Sequence, residues 1–169
     1  MSKDDPALAP KTVERPAEIL LVVTAAVERN NEKVMQAMQN NMQWINKVMA
    51  ANGLEAAGPV RIVTNEFGSE TYSFDVTQPV RKIGATGPVA KLDIKLEGPV
   101  TAEFKEPAKV AVVPFRGHMA NLSKIRDALR AWSLTRGYET IERPYESWKN
   151  GIDKGFTEEG EYDVYWVLK

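Results

Sequence analysis

The hydrophobic positions change period several times along the chain, and each change marks an element. A dense apolar run, Ile19-Leu20-Leu21-Val22-Val23, predicts a well-buried strand over residues 18–27. Apolar residues then recur at Val34, Met38, Met42, Ile45 and Met49, spacings of four, four, three and four that share one helix face. Trp44 and Val48 flank that stripe. Asn30 and Asn31 can cap the helix and Gly53 supplies a left-handed stop, so it is predicted over 32–52. After Gly58-Pro59 the period falls to two. A short strand follows over 60–64, then one over 71–77 in which Tyr72, Phe74 and Val76 alternate with Ser73, Asp75 and Thr77.

Residues 79–99 bridge to a second series and include an alternating strand, Leu92, Ile94 and Leu96 against Lys91, Asp93 and Lys95. A buried strand is predicted over 109–115. A helix capped by Asn121 follows, carrying Leu122, Ile125, Leu129 and Trp132, with Trp132 in the core, and Gly137 ends it. Pro144 opens a strand over 145–148, and a last strand covers 162–168. The order strand, helix, glycine, proline, strand, strand therefore occurs twice. Duplicated units of this kind pack about a shared axis. The predicted fold is α+β: duplicated βαββ modules with antiparallel sheets, a pseudo-twofold, and a ligand cleft at the junction. Residues 1–17, with Pro6 and Pro10, are expected to be a flexible leader. Residues 18–169 form the domain, with halves at about 18–80 and 100–169.

Composition narrows the chemistry. The chain has 169 residues, 22 basic and 23 acidic, and no cysteine. Disulfides, thiolate nucleophiles and cysteine-bound zinc are excluded, and the single histidine, His118, excludes a multi-histidine metal site. No metal and no cofactor are expected. A net charge of −1 offers nothing to phosphates or anionic lipid, so no direct nucleic-acid partner and no membrane partner are expected. Met1 is followed by Ser2-Lys3-Asp4-Asp5, which is not a signal-peptide pattern. The expected location is cytoplasmic, with export or membrane anchoring the alternative if the natural chain begins upstream of Met1.

Several stretches stand out together: 109–117 (Lys-Val-Ala-Val-Val-Pro-Phe-Arg-Gly), Trp132 with Arg136-Gly137-Tyr138, Pro144-Tyr145-Glu146-Ser147-Trp148, and the terminal run from Tyr162. The first half adds Trp44, Asn52-Gly53-Leu54, Gly58-Pro59 and Tyr72-Ser73-Phe74-Asp75-Val76. In this order they resemble the GyrI-like family, the effector-binding domain also found in multidrug-sensing transcription regulators. Two positions depart from the pattern: His118 follows the glycine, and Trp148 stands where a tyrosine is usual. The resemblance implies a cleft holding cationic or aromatic compounds, with an acidic residue at the position of Glu146.

Glu146 and Trp148 share one face of a strand, so a carboxylate stands beside an indole. That pair suits a flat cation, the cation–π part being worth roughly 2 kcal/mol when desolvated. A solvated edge-strand glutamate is the plainer reading, and the resemblance tips the balance toward a site. Arg61 is its expected symmetry mate, either facing the same cleft or lying over apolar neighbours. Tyr72, Phe74 and Tyr165 are candidates for the cleft wall or for the core. His118 reads as a loop histidine, since no linear motif supplies a nucleophile for it. The acidic residues Glu158, Glu159, Glu161 and Asp163 lack calcium-loop spacing and read as a solvated turn.

The expected function is binding of a small hydrophobic or aromatic, cationic molecule, for sensing or sequestration. The alternative is a hydrolase of reactive electrophiles with Glu146 as general base, and a third reading is docking to a protein partner. From the charge balance, the chain should show no salt-sensitive binding to duplex DNA. A gel-shift titration at 50 and 200 mM salt checks this; submicromolar binding that weakens steeply with salt would contradict it.

Overall fold

The computed structural model describes residues 9–169, and it divides into two compact units. One unit is Pro16–Pro107; the other joins residues 9–15 to Ala108–Lys169. In chain order, β1 (Lys11–Arg15) belongs to the second unit. The first unit then runs β2 (Glu18–Glu28), α1 (Asn31–Ala51), β3 (Leu54–Ala56), β4 (Arg61–Phe67), β5 (Thr71–Lys82) and β6 (Thr101–Lys105). The second continues with β7 (Ala108–Arg116), α2 (Leu122–Thr135), β8 (Thr140–Trp148), a single turn α3 (Ile152–Gly155) and β9 (Glu161–Leu168). The βαββ order occurs twice, as β2-α1-β4-β5 and as β7-α2-β8-β9. Every strand pair within the units is antiparallel. The class is α+β, as the hydrophobic periods indicate.

In the first unit β5 lies between β2 and β4, β6 adds to the outer side of β2, and β3 pairs with the far end of β5. The register sets Leu21 and Val23, Ile62, and Phe74 and Val76 on one face. All five are fully or almost fully buried. Helix α1 rests on β2 and β5 and buries Val34, Met38, Ile45 and Val48. Its start follows the expected chemistry: the Asn30 side chain accepts from the Lys33 amide at 3.1 Å. Gly53 takes φ 62° just past its end.

In the second unit β9 lies between β7 and β8, and β1 pairs with the outer edge of β7. Helix α2 covers one face, fixed there by Trp166, whose indole N–H donates to the Arg126 carbonyl at 2.8 Å. Leu122, Leu129 and Ser133 are its buried residues.

Five expectations change. The leader is not loose throughout, since Lys11–Arg15 forms a ladder with β7 from Lys11↔Val112 to Arg15↔Ala108. Five residues without proline can satisfy an otherwise open sheet edge; the rest of the expected leader up to residue 8 lies outside the described residues. Residues 101–105, which the expected bounds put in the second half, form a strand that pairs with β2 and belongs to the first unit. No strand forms over Leu92, Ile94 and Leu96, although Leu92 and Ile94 are half-buried. That segment is held by a side chain instead: Asn52 donates through Nδ2 to the Lys95 carbonyl at 3.0 Å and accepts from the Lys95 amide at 2.8 Å. Asn121 does not cap α2, because a tight turn over Met119–Asn121 moves the start upstream. His118 takes the role, its Nδ1 accepting from the Ala120 amide at 3.0 Å. Trp132 is half-buried rather than core, with the Arg136 guanidinium 4.9 Å from its ring centre.

The Asn52 side chain thus replaces a strand partner for the 91–97 segment. Asn52→Ala should speed tryptic cleavage after Lys91 or Lys95 severalfold, with a global loss of only about 1 kcal/mol. Timed proteolysis with mass spectrometry checks it. Unchanged cleavage would show that apolar contacts alone hold the segment.

Candidate ligand site

The last four residues of β8, Tyr145-Glu146-Ser147-Trp148, are all buried. Register fixes their faces: Glu146 stands opposite Val164 and Trp148 opposite Tyr162, on the face that α2 covers. Trp148 is wedged there. Gly155 of α3 lies against its six-membered ring, so closely that a Cβ on Gly155 would run into Cζ3 and Cε3. Tyr162 meets the indole edge-on, with centroids 5.4 Å apart and planes at 89°, and Phe156 stands 5.8 Å away. The Tyr162 hydroxyl donates to the Gly155 carbonyl at 2.7 Å. One short helical turn therefore sets both rings, one through bare backbone and one through a carbonyl.

Into this aromatic corner the chain places a carboxylate. The nearest charge is Arg126 of α2, whose Nε lies 3.6 Å from Glu146 Oε1, an ion-pair distance too long for a hydrogen bond. Glu146 Oε2, Arg126 Nε and Trp148 Nε1 are buried and lack hydrogen-bond partners among the described residues. Burial pushes the Glu146 carboxyl up to about 7, with the Arg126 guanidinium pulling part of the way back. The Tyr162 phenol is raised as well, mostly by burial and then by the negative charge of Glu146. This is a charge held where its own surroundings underserve it.

The other candidates lie elsewhere. Tyr165 faces away from Glu146, stacked on Tyr145 with centroids 4.8 Å apart. It borders a cavity of about 350 Å³ together with Lys11, Val13, Val112, Pro114 and Asp163. Tyr72 and Phe74 are buried in the first unit, with rings 4.8 Å apart and the Tyr72 hydroxyl 2.9 Å from Thr64 Oγ1. Arg61 grips the Glu18 carboxylate with both terminal nitrogens, NH2 to Oε1 at 3.0 Å.

Arg61 is not the counterpart of Glu146. Ile62 stands opposite Val76 as Glu146 stands opposite Val164. The sequence repeat is off by one residue, and with a period of two that puts Arg61 on the other face. Among the described residues no cluster of acidic or histidine side chains could hold a metal, and no helix is long and apolar enough to cross a membrane.

Sequence reasoning missed Arg126 and α3. The signal for Arg126 was present: it lies four residues after Leu122 and three before Leu129, inside the buried stripe. Nothing comparable marked α3, a four-residue turn without apolar periodicity.

The raised carboxyl has a consequence for stability. A folded-state value near 7 against an ordinary 4.5 means that Glu146 stabilises the fold when protonated. That contribution is fully present below about pH 4.5 and is lost as pH rises through 7, a swing of roughly 3 kcal/mol. Glu146→Gln should remove this fall, being as stable as wild type at pH 5 and more stable at pH 8. Urea melts at the two pH values check it; parallel curves for the two proteins would contradict it.

No family model matches the chain, and no curated protein does. Solved structures do. The C-terminal domain of EcmrR superposes with a TM-score of 0.73 at 18% identity, over 95% of this chain and 97% of that one. In the EcmrR–DNA complex the match covers 99% of this chain and 60% of the EcmrR chain, at 19% identity and TM-score 0.73. SAV2435 bound to tetraphenylphosphonium matches with TM-score 0.54 at 9% identity, over 95% and 94%. A hydrolase from Listeria innocua matches with TM-score 0.62 at 10% identity, over 98% and 94%. At these identities the likeness establishes the fold: the chain has the fold of the EcmrR C-terminal domain.

Proposed function

We propose that the chain binds small aromatic cations, with Glu146 as the counter-charge and Trp148 as the ring against which they stack. The observation that carries this is the buried carboxylate whose Oε2 has no hydrogen-bond partner among the described residues. A neutral ligand without a hydrogen-bond donor gives that oxygen nothing that burial has not already withheld, whereas a cation supplies a compensating charge. Trp148 stands in the same corner, buried and held in orientation by Gly155 and Tyr162, so a ligand that stacks on it must open that packing. SAV2435, which shares the fold, is bound to tetraphenylphosphonium, a lipophilic cation. Sensing or sequestration both fit such a site.

A second reading has one observation in its favour. A carboxyl titrating near 7 suits a general base, and a protein of this fold is described as a hydrolase. Turnover of an electrophile that Glu146→Gln abolishes would select this reading.

Calorimetry with tetraphenylphosphonium tests the binding proposal. Affinity should rise about tenfold per pH unit up to 7 and level off above, because the cation takes only the ionised carboxylate. The groups facing that carboxylate are Arg126 and Tyr162, and burial raises the Tyr162 phenol still further above its ordinary range. Protons should be released on binding at pH 6 and few at pH 9. Glu146→Gln should lose roughly 1.5–3 kcal/mol at pH 8. Equal affinities of wild type and variant would sink the proposal.

A further inference from the structure

We infer that Arg126 is a displaceable internal cation: its guanidinium occupies the charge position beside Glu146, and a ligand enters by exchanging with it. This rests on the binding role of Glu146 proposed above. Three observations carry it. The pair is charged but poorly bonded, with 3.6 Å between nearest atoms and with Arg126 Nε and Glu146 Oε2 both unpartnered among the described residues. Burying two charges costs more than their attraction returns unless geometry and hydrogen bonds are good. Here they are not, so the guanidinium is held only weakly against a competing cation, although its departure alone would strand the Glu146 charge.

The two partners also differ in their access to water. The Glu146 side chain is 2% exposed and that of Arg126 is 17% exposed. Of the two, the arginine has the way out. A guanidinium on a three-carbon stem reaches solvent by rotating its own torsions, keeping the stem on the protein. The glutamate sits on a strand paired residue by residue with β9 and cannot follow.

The helix need not move either. The Arg126 carbonyl accepts the Trp166 indole N–H at 2.8 Å, which fixes the backbone of α2 at this residue. Release of the guanidinium is then a side-chain event on a standing helix. It makes Arg126 a specificity residue: a neutral aromatic of equal shape cannot repay the charge left on Glu146 when the guanidinium leaves, whereas a cation can. Arg126 thereby raises the threshold that any ligand must meet and restricts entry to positive charge.

The test uses tetraphenylphosphonium at pH 9, where Glu146 of the wild type is ionised. Arg126→Gln should bind it roughly tenfold tighter than wild type, the scale of one removed charge competitor. Glu146→Gln should bind weakly, and adding Arg126→Gln to it should restore nothing, since no carboxylate remains to be freed. Arg126→Gln binding equal to or weaker than wild type, while Glu146→Gln still fails, would overturn the exchange and leave the binding role standing. Full affinity in Glu146→Gln would overturn the binding role itself, and the exchange with it. If Arg126→Gln does not fold, the wild-type chain decides by NMR of arginine side chains. The Arg126 Nε–H, assigned by loss of its signal in Arg126→Lys, should pass from slow to fast solvent exchange on addition of the cation. An Nε–H that stays protected in the complex would refute displacement.

Discussion

A carboxylate buried in an aromatic corner is the constraint around which the second unit is arranged. Glu146 has left water and gained one guanidinium at ion-pair distance and no hydrogen bond to Oε2 among the described residues. Such a group holds its place only if everything around it is rigid, because any slack would let it turn toward solvent. Rigidity comes from both sides. The β8–β9 ladder holds Glu146 opposite Val164 and Trp148 opposite Tyr162. Helix α2 is fixed against the same face by the Trp166–Arg126 hydrogen bond, and α3 locks Trp148 with bare Gly155 backbone and Tyr162 with the Gly155 carbonyl. The strain is electrostatic rather than steric: the corner is well packed, and it is the charge that lacks partners.

Much of this architecture could be read from the chain before any coordinates. Two helices and the strands before and after them follow from spacings at Val34, Met38 and Ile45, at Leu122 and Leu129, and from the alternation at Tyr72, Phe74 and Val76. Those patterns work because one face of each element is buried and the other is not. The failures have physical causes. Alternation at Leu92, Ile94 and Leu96 reports a half-covered face, but a ladder needs a strand to pair with, and the segment is tied to Asn52 instead. Lys11–Arg15 has little apolar signal because an edge strand needs only a neighbour with free backbone groups. Of the proposed site, the shared face of Glu146 and Trp148 was legible through strand parity, and their candidacy rests on a family resemblance. Arg126 was legible only as an oddity, a charge inside an apolar stripe. Tyr165 and Arg61 were misplaced for a shared reason: parity says that two residues share a face, not which face meets what.

The repeat itself separates what the fold requires from what the site adds. At the position opposite the central valine of the last strand, the first unit carries Ile62 against Val76 and the second carries Glu146 against Val164. Both positions are buried, at 0% and 1% exposure. The βαββ unit is therefore satisfied by an aliphatic side chain at that point and has no structural need of a carboxylate. An isoleucine there gains transfer free energy of about 1.5–3 kcal/mol on burial. A glutamate there is pushed toward protonation and draws a guanidinium into the interior with it, an arrangement that replacement by apolar residues often improves. Fold stability alone therefore favours isoleucine in both units. A chain that keeps isoleucine in one copy and glutamate with arginine in the other gives up stability at a single point. Local cost of this kind is characteristic of binding and catalytic sites, where the arrangement that serves a ligand is not the one that serves the fold. The asymmetry between Ile62 and Glu146 is thus an argument for function that depends on no relative: it compares the protein with itself.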